Sequence, residues 1–439
     1  MEPGLLFAAI ADDYTGGSDL AGMLAGHGVR TAQLFGVPEP ALVEAVAGQY
    51  DAVVVCLKTR SIPAAEAQRL SLEALARVQP LRPRQVQFKY CSTFDSTPAG
   101  NIGPVTDALM EALGTEFTVA VPALPVNGRT QYLGYLFVNG VLLSESPMRN
   151  HPLNPMTEPN LVRHLQAQTR RRCGLIPWPA VRHGAESIRS EVLGLRRLGV
   201  QIALVDALSG EDLSSIAEAV ADEVLITGGS GITQKLPDVW RALGWWKPDV
   251  SSRPTSVAGG KEVLILSGSC SAATLQQVSV FTEAGAPALR MNIEALCAGR
   301  RREVDRLLEA AMAALERDGK VLIYSSAPAE ERETVLARLE RAGLSAEQVR
   351  LTIEQAMAEL ARLAVSEAAV RNIVVAGGET AGALLEALAV HAVQVLDSLD
   401  PGVPALRSIG DAPLGLVLKS GNFGSPDFFA KAARYLEGI

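Results

Sequence analysis

The sequence predicts two α/β domains with mainly parallel sheets, and three observations carry that expectation. Short apolar runs recur along the 439 residues. They are too continuous for strands with one wet face, so they read as strands buried on both sides. Helical patterns lie between them, and this alternation is what a parallel α/β layer requires. The alternation is interrupted at 247–260 (KPDVSSRPTSVAGG), where Pro, Ser and Gly concentrate without periodicity, as in a linker. The expected division is therefore 1–246, a linker at 247–260, and 261–439.

In chain order, the first domain offers strands at 5–11, 32–35, 52–57, 86–90 and 117–121, then at 202–205 and 224–226. Helical patterns fall at 18–27, 63–78 and 105–113. The segment 135–143 (YLFVNGVLL) differs, because Asn139-Gly140 between two apolar arms signals a hairpin whose turn residues accept positive φ. The second domain offers strands at 263–266, 288–291, 321–324, 373–376, 392–396 and 414–418. A stretch rich in Ala, Leu, Glu and Arg, 329–370, reads as helical.

Composition narrows the function. Lys and Arg total 40 against 48 Asp and Glu, a formal charge of −8, and an acidic chain disfavours nucleic-acid partners. No apolar run approaches the ~18 residues of a membrane span, and the early Glu2 and Asp12-Asp13 do not suit a secretory signal. Five scattered cysteines without a CxxC read as reduced thiols of a cytoplasmic protein. Five histidines without close pairing do not suggest a zinc site.

Polar and glycine residues gather after the predicted strands, where open α/β sheets bind ligands. Asp12-Asp13 follows the first strand; adjacent carboxylates there can accept a substrate proton or hold a metal, or equally begin a helix as cap and first-turn acids. Lys89 ends a strand and enters a polar stretch through Asp95, where it can serve as a point charge for carboxylate or phosphate. Arg60 has the same strand-end placement and can grip a carboxylate bidentately. Asn127-Gly128-Arg129 forms a loop apex, with Arg129 as an anion contact. Three glycine-rich strand ends lie in the second domain: 267–271 (SGSCS), 377–382 (GGETAG) and 419–424 (KSGNFG). Their backbone N–H groups can approach a phosphate, and the first two lead into helices whose dipoles favour negative charge. There is no GxxxxGK[ST], no GxGxxG after the first strand of either domain, and no GxSxG. A P-loop NTPase, an ordinary Rossmann dehydrogenase and a serine hydrolase using Ser269 are thereby disfavoured.

Taken together, these motifs resemble the four-carbon acid sugar kinase family, and within it the 3-oxo-tetronate kinase branch. The resemblance rests on IADDYTGGSDLAG (10–22), FKYCSTFDSTPAGNIGPVTDAL (88–109), VPALPVNGRT (121–130), GYLFVNGVLLSESPM (134–148), HPLNPM (151–156), LITGGSG (225–231), LSGSCS (266–271), AGGET (376–380) and LKSGNFG (418–424). These segments span nearly the whole chain. Tyr14 stands where the family commonly has Phe, and Ala381 where Ser is common.

The resemblance implies a sugar-acid-binding N-terminal domain, an ATP-binding C-terminal domain, and an active site in the cleft between them. It implies nucleotide contacts at Ser267, Ser269 or Ser271, at Gly378, Glu379, Thr380 and Ala381, and at Gly421. Asp12, Asp13, Lys89 and Asp95 fall in the sugar-side motifs, with Arg60, Asn127 and Arg129 as substrate-binding candidates. The implied reaction transfers a phosphoryl group from ATP, with Mg²⁺, to the C4 hydroxyl of a 3-oxo-tetronate. Closure of the domains about 247–260 is a corollary, because water must be kept from the γ-phosphate. The alternatives are a D-threonate or D-erythronate kinase of the same family, and a non-catalytic sugar-acid or nucleotide sensor. The expected partners are the small sugar acid and ATP, with no nucleic acid and no membrane; a homo-oligomer is left open.

Overall fold

The computed structural model describes residues 4–150, 154–248 and 260–438, and the chain separates into two compact units, 1–250 and 251–439. Residues 249–259 of the expected linker and residues 151–153 of the HPLNPM motif lie outside the described residues.

The first unit contains eleven described strands. They are β1 (Leu5–Ala11), β2 (Thr31–Phe35), β3 (Ala52–Cys56), β4 (Pro83–Lys89), β5 (Thr118–Val121), β6 (Arg129–Tyr132), β7 (Tyr135–Val138), β8 (Val141–Leu142), β9 (Cys173–Ile176), β10 (Ile202–Val205) and β11 (Leu225–Gly228). Eight of them form a parallel run in the order β2-β3-β1-β4-β11-β5-β10-β9. Most of these strands have no solvent face: β2, β3, β5, β10 and β11 are buried along their whole length. Each buried Val, Leu or Ile stabilises the layer by roughly 1.5–3 kcal/mol. The expected Asn139-Gly140 turn joins β7 to β8, and β6 completes a separate three-stranded antiparallel sheet. Asp206 anchors that sheet by accepting from Gln131 Nε2 (3.0 Å) and the N–H groups of Leu133 (2.6 Å) and Gly134 (2.9 Å).

The second unit holds β12 (Val263–Ser267), β13 (Ala288–Arg290), β14 (Lys320–Tyr324), β15 (Asn372–Ala376), β16 (Ala392–Asp400), β17 (Val403–Ser408) and β18 (Gly415–Lys419). Their order is β13-β14-β12-β15-β18-β17-β16, the first five parallel and β17 antiparallel to both neighbours. Strand β17 is not foreseen in the sequence, because Pro404 argues against a strand. The Pro401-Gly402 turn that makes it a hairpin with β16, Gly402 at φ 77°, is its missed signal. The single helical stretch expected at 329–370 is two helices, Ala329–Arg341 and Ala346–Ala368. Gly343, at φ 89°, breaks them, and Ser345 with Gln348 forms a capping box for the second.

In each unit the chain leaves the central strand in one direction and returns on its other side. β1 leads to β2 on one flank, while β4 on the opposite flank leads on to β5. β12 and β15 stand in the same relation. Such a reversal opens a crevice outside the carboxyl ends of the strands. Register makes the ends level: Ala11 pairs with Cys56 and Lys89, and Lys89 with Gly228. In the second unit Ser267 pairs with Ala376, and Ala376 with Lys419. No helix among the described residues is long and apolar enough to cross a membrane.

Candidate functional site

In the first unit the crevice is acidic. The helix Tyr14–Gly26 starts four residues earlier than its apolar pattern suggests, with Asp13 as its N-cap accepting from the Gly16 N–H at 3.1 Å. Thr15 Oγ1 donates to the other Asp13 oxygen at 2.7 Å. The two readings of the aspartate pair are thus combined, since Asp13 both caps a helix and faces the strand-end crevice. Arg60 holds Asp12 bidentately, Nε to Oδ2 at 3.0 Å and Nη2 to Oδ1 at 2.8 Å, and reaches Asp13 Oδ1 at 2.5 Å. Asp95 Oδ2 lies 4.0 Å from its remaining nitrogen.

Lys89 is 3 % exposed and donates to the Tyr90 carbonyl at 3.0 Å. A β-carbon on Gly16 would stand 2.9 Å from its ammonium and overlap the Asp13 carboxylate, so glycine lets these two charges face each other. Burial pushes Asp12 above the ordinary carboxylate range against the pull of Arg60. Burial also acts upward on Asp13, but Arg60, Lys89 and the bonds from Thr15 and Gly16 outweigh it and hold the carboxyl low. Asp13 is therefore the more acidic member of the pair, and its side chain is the more accessible, 24 % against 7 %.

The geometry revises the expected role of Arg60. Its guanidinium is spent on Asp12, Asp13 and Asp95, so it organises carboxylates rather than offering a free fork to the substrate. Asn127 lies on the loop after β5 and Arg129 opens β6, with Arg129 Nη1 folded back onto the Asn127 carbonyl. No hydrogen bond or ion pair among the described residues joins them to the aspartate cluster. The Arg129 Nε–H is buried without a partner among those residues, so the side chain retains donor capacity for an anion.

Two residues of this site have no assigned role in the sequence reading. Asp19, one helical turn and a half after Asp13, accepts from Ser230 Oγ and feels the Lys89 charge, although burial raises its carboxyl overall. Asn101 precedes the helix Ile102–Leu113 and leaves it without a side-chain cap. Its Nδ2 donates instead to the carbonyls of Thr59 (2.5 Å), Arg60 (3.2 Å) and Ile62 (3.0 Å), fastening the loop that carries Arg60. Asn101→Ala is expected to cost roughly 1–3 kcal/mol in urea unfolding, the price of leaving buried acceptors unmet; an unchanged midpoint would contradict the clamp. The glycines of 228–231 serve packing. Side chains at 228, 229 or 231 would meet the carbonyls of Val121, Pro122 and Ala123, so this loop has a steric explanation.

In the second unit the three glycine segments converge. A β-carbon on Gly268 would overlap Thr380 Oγ1, and one on Gly421 would overlap Ser269 Oγ. Gly377, at φ 130°, would approach Ser269 N to 3.4 Å. They open onto a cavity of about 1820 Å³, whose wall includes Gly268, Ser269, Gly378, Glu379, Thr380 and Gly421. Ser267, Ser271 and Ala381 are not on that wall. Ser267 is fully buried and bonded to Ser326 Oγ at 2.9 Å. Ser271 caps the helix Ala272–Glu283, and the Ala381 N–H is committed to the Gly377 carbonyl at 2.9 Å. The N–H groups of Gly268, Ser269 and Gly377 extend the sheet ladder to the carbonyls of Ala376 and Lys419. The amides left for an anion are those opening the helix Gly378–Ala387.

A crevice of carboxylates in one unit and a cavity ringed by glycine turns in the other define a phosphotransferase of small polar substrates. Comparisons agree in both halves: a sugar-binding N-terminal domain matches residues 7–236, and a nucleotide-binding C-terminal domain matches residues 264–429. A 3-oxo-tetronate kinase of Pseudomonas fluorescens is 48% identical over 99% of this chain and 98% of its own length. The 3-oxo-tetronate kinase of Salmonella typhimurium is 40% identical over 98% and 99%. A solved Haemophilus influenzae protein superposes with a TM-score of 0.84 at 38% identity, covering 98% of this chain and all of that one. The chain belongs to the four-carbon acid sugar kinase family.

Proposed function

We propose that the protein is an ATP-dependent kinase that phosphorylates the C4 hydroxyl of a 3-oxo-tetronate, releasing the 4-phosphate and ADP. The observation that carries the proposal is the convergence of three glycine turns on one cavity, in a chain whose other unit presents a partly accessible Asp13 that Arg60 and Lys89 hold low. The full-length relatives named as 3-oxo-tetronate kinases support the substrate class.

Phosphoryl transfer depends on positioning and charge neutralisation more than on covalent help. Asp13 accepts the proton of the attacking hydroxyl. Asp12 and Asp95 hold Arg60 in place behind it, and Lys89 fixes the Asp13 carboxylate by its charge. Arg129, through its unpartnered Nε–H, binds the substrate carboxylate. Ser269, Gly378, Glu379, Thr380 and Gly421 line the nucleotide site. Mg²⁺ would be held through one or two carboxylates together with phosphate oxygens, and the Asp12–Asp13 pair supplies hard carboxylate oxygens of that kind. When bound it supplies neutralisation of phosphate charge. A cytoplasmic location is part of the proposal, supported by five cysteines that are all unpaired.

An ADP-release assay over 3-oxo-tetronates, D-threonate and D-erythronate tests the proposal. The oxo acids should show the highest kcat/KM. Preference for a 3-hydroxy acid would move the assignment to a sister kinase, and no ADP with any of them would reject it.

A further inference from the structure

The most deeply buried cation of the second unit has no counter-ion among the described residues. Lys419 ends β18 and is 1 % exposed. Its ammonium donates to Thr274 Oγ1 at 3.0 Å and to the carbonyls of Ser420 (3.1 Å) and Gly421 (3.2 Å). All three acceptors are neutral, and no described carboxylate forms an ion pair with it. A buried charge is retained only where something compensates its desolvation.

The surroundings show what the charge accomplishes. The Gly421 carbonyl receives Lys419 Nζ, Thr274 Oγ1 (2.9 Å) and Ser271 Oγ together, so this peptide is pinned by three donors. Carbonyl and amide point in opposite directions across a trans peptide. The N–H of Asn422 is thus turned away from the buried cluster, on a residue that is exposed. Gly421 lies on the cavity wall against Ser269. The ammonium therefore stands one peptide behind that wall.

We propose that Lys419 is a positioning residue of the nucleotide site, holding the 420–422 turn against Ser269 and supplying a positive charge whose counter-ion is the polyphosphate of the bound nucleotide. The inference rests on the kinase reading above and assigns a residue that the motif comparison leaves without a role. Burial depresses the ammonium to about 8, so its charge is lost just above neutral pH until an anion arrives. Thr274 and the loop carbonyls do not titrate. The ionisable groups of the glycine segments on the cavity wall are Cys270 and Glu379, and the rest of that wall adds arginines and glutamates such as Arg290, Glu294 and Arg300; Lys419→Met separates their contribution from that of Lys419.

The test is calorimetric binding of ADP to the full chain between pH 7 and pH 9, in buffers of differing ionisation enthalpy. The β-phosphate has already lost its last proton in this range, which lies above its pKa of about 6. Wild type should bind about tenfold more weakly at pH 9 than at pH 7, and should take up most of one proton on binding at pH 9. Lys419→Met should bind several-fold more weakly at pH 7, show a flat profile, and take up no proton. Lys419→Arg, charged throughout, should also be flat. If wild type binds ADP without proton uptake, or Lys419→Met retains the full pH dependence, the role of Lys419 is refuted while the nucleotide site stands. If wild type does not bind ADP, the kinase reading falls and this inference with it. Should Lys419→Met not fold, the proton uptake of wild type alone decides.

Discussion

Asp13→Asn is expected to lower kcat by about 10²–10⁴-fold, the usual worth of a positioned proton acceptor, with the fold intact. The substitution is clean because Asn is as good an N-cap as Asp, so the Gly16 N–H keeps its acceptor and the helix Tyr14–Gly26 keeps its start. What disappears is the charge that Arg60 and Lys89 hold ionised. Asp12→Asn should behave differently. It breaks a bidentate, buried contact to Arg60, so the expected loss is in stability, roughly 1.5–3 kcal/mol. The pair is distinguished by measuring kcat and urea midpoints for both variants. Near-normal turnover by Asp13→Asn would remove it as the base.

Gly16→Ala should give an enzyme that folds well and works badly. Within a helix Ala is favoured over Gly by roughly 0.5–1 kcal/mol, so propensity predicts stabilisation. The added methyl, however, overlaps the Asp13 carboxylate and stands 2.9 Å from Lys89 Nζ. One or both charged groups must move. A displacement near 1 Å at a reacting group costs on the order of 10²-fold in rate. The expected result is a drop of that size in kcat with KM for ATP little changed, since Gly16 belongs to the sugar-side unit. Full activity would mean that the spacing between Asp13 and Lys89 is not critical.

Much of this arrangement is legible in the chain. The buried strands β1, β3 and β10 follow from unbroken apolar runs, because a two-sided parallel strand leaves no polar position to confuse the pattern. The strand-end placement of Asp12, Asp13, Lys89 and the glycine turns follows from the same runs. Strand β9 is harder: it has partly exposed positions and neighbours rich in charge, so neither period stands out. The two helices of 329–370 merge in the sequence because composition is uniform across them, and the break depends on the single Gly343.

The linear sequence by itself determined that two parallel α/β layers form, that carboxylates and glycines lie after their strands, and which family the chain belongs to. Hydrophobic period and turn chemistry are local properties, readable within a few residues. Tertiary structure alone decided that Arg60 is consumed by Asp12, Asp13 and Asp95, which lie 48, 47 and 35 positions away along the chain. It alone decided that Ser267 and Ala381 stand behind the cavity, and that Lys419 is buried against the turn that follows it. Ionisation and hydrogen-bond partners depend on which distant segments share a sheet edge, and register, not residue type, sets that.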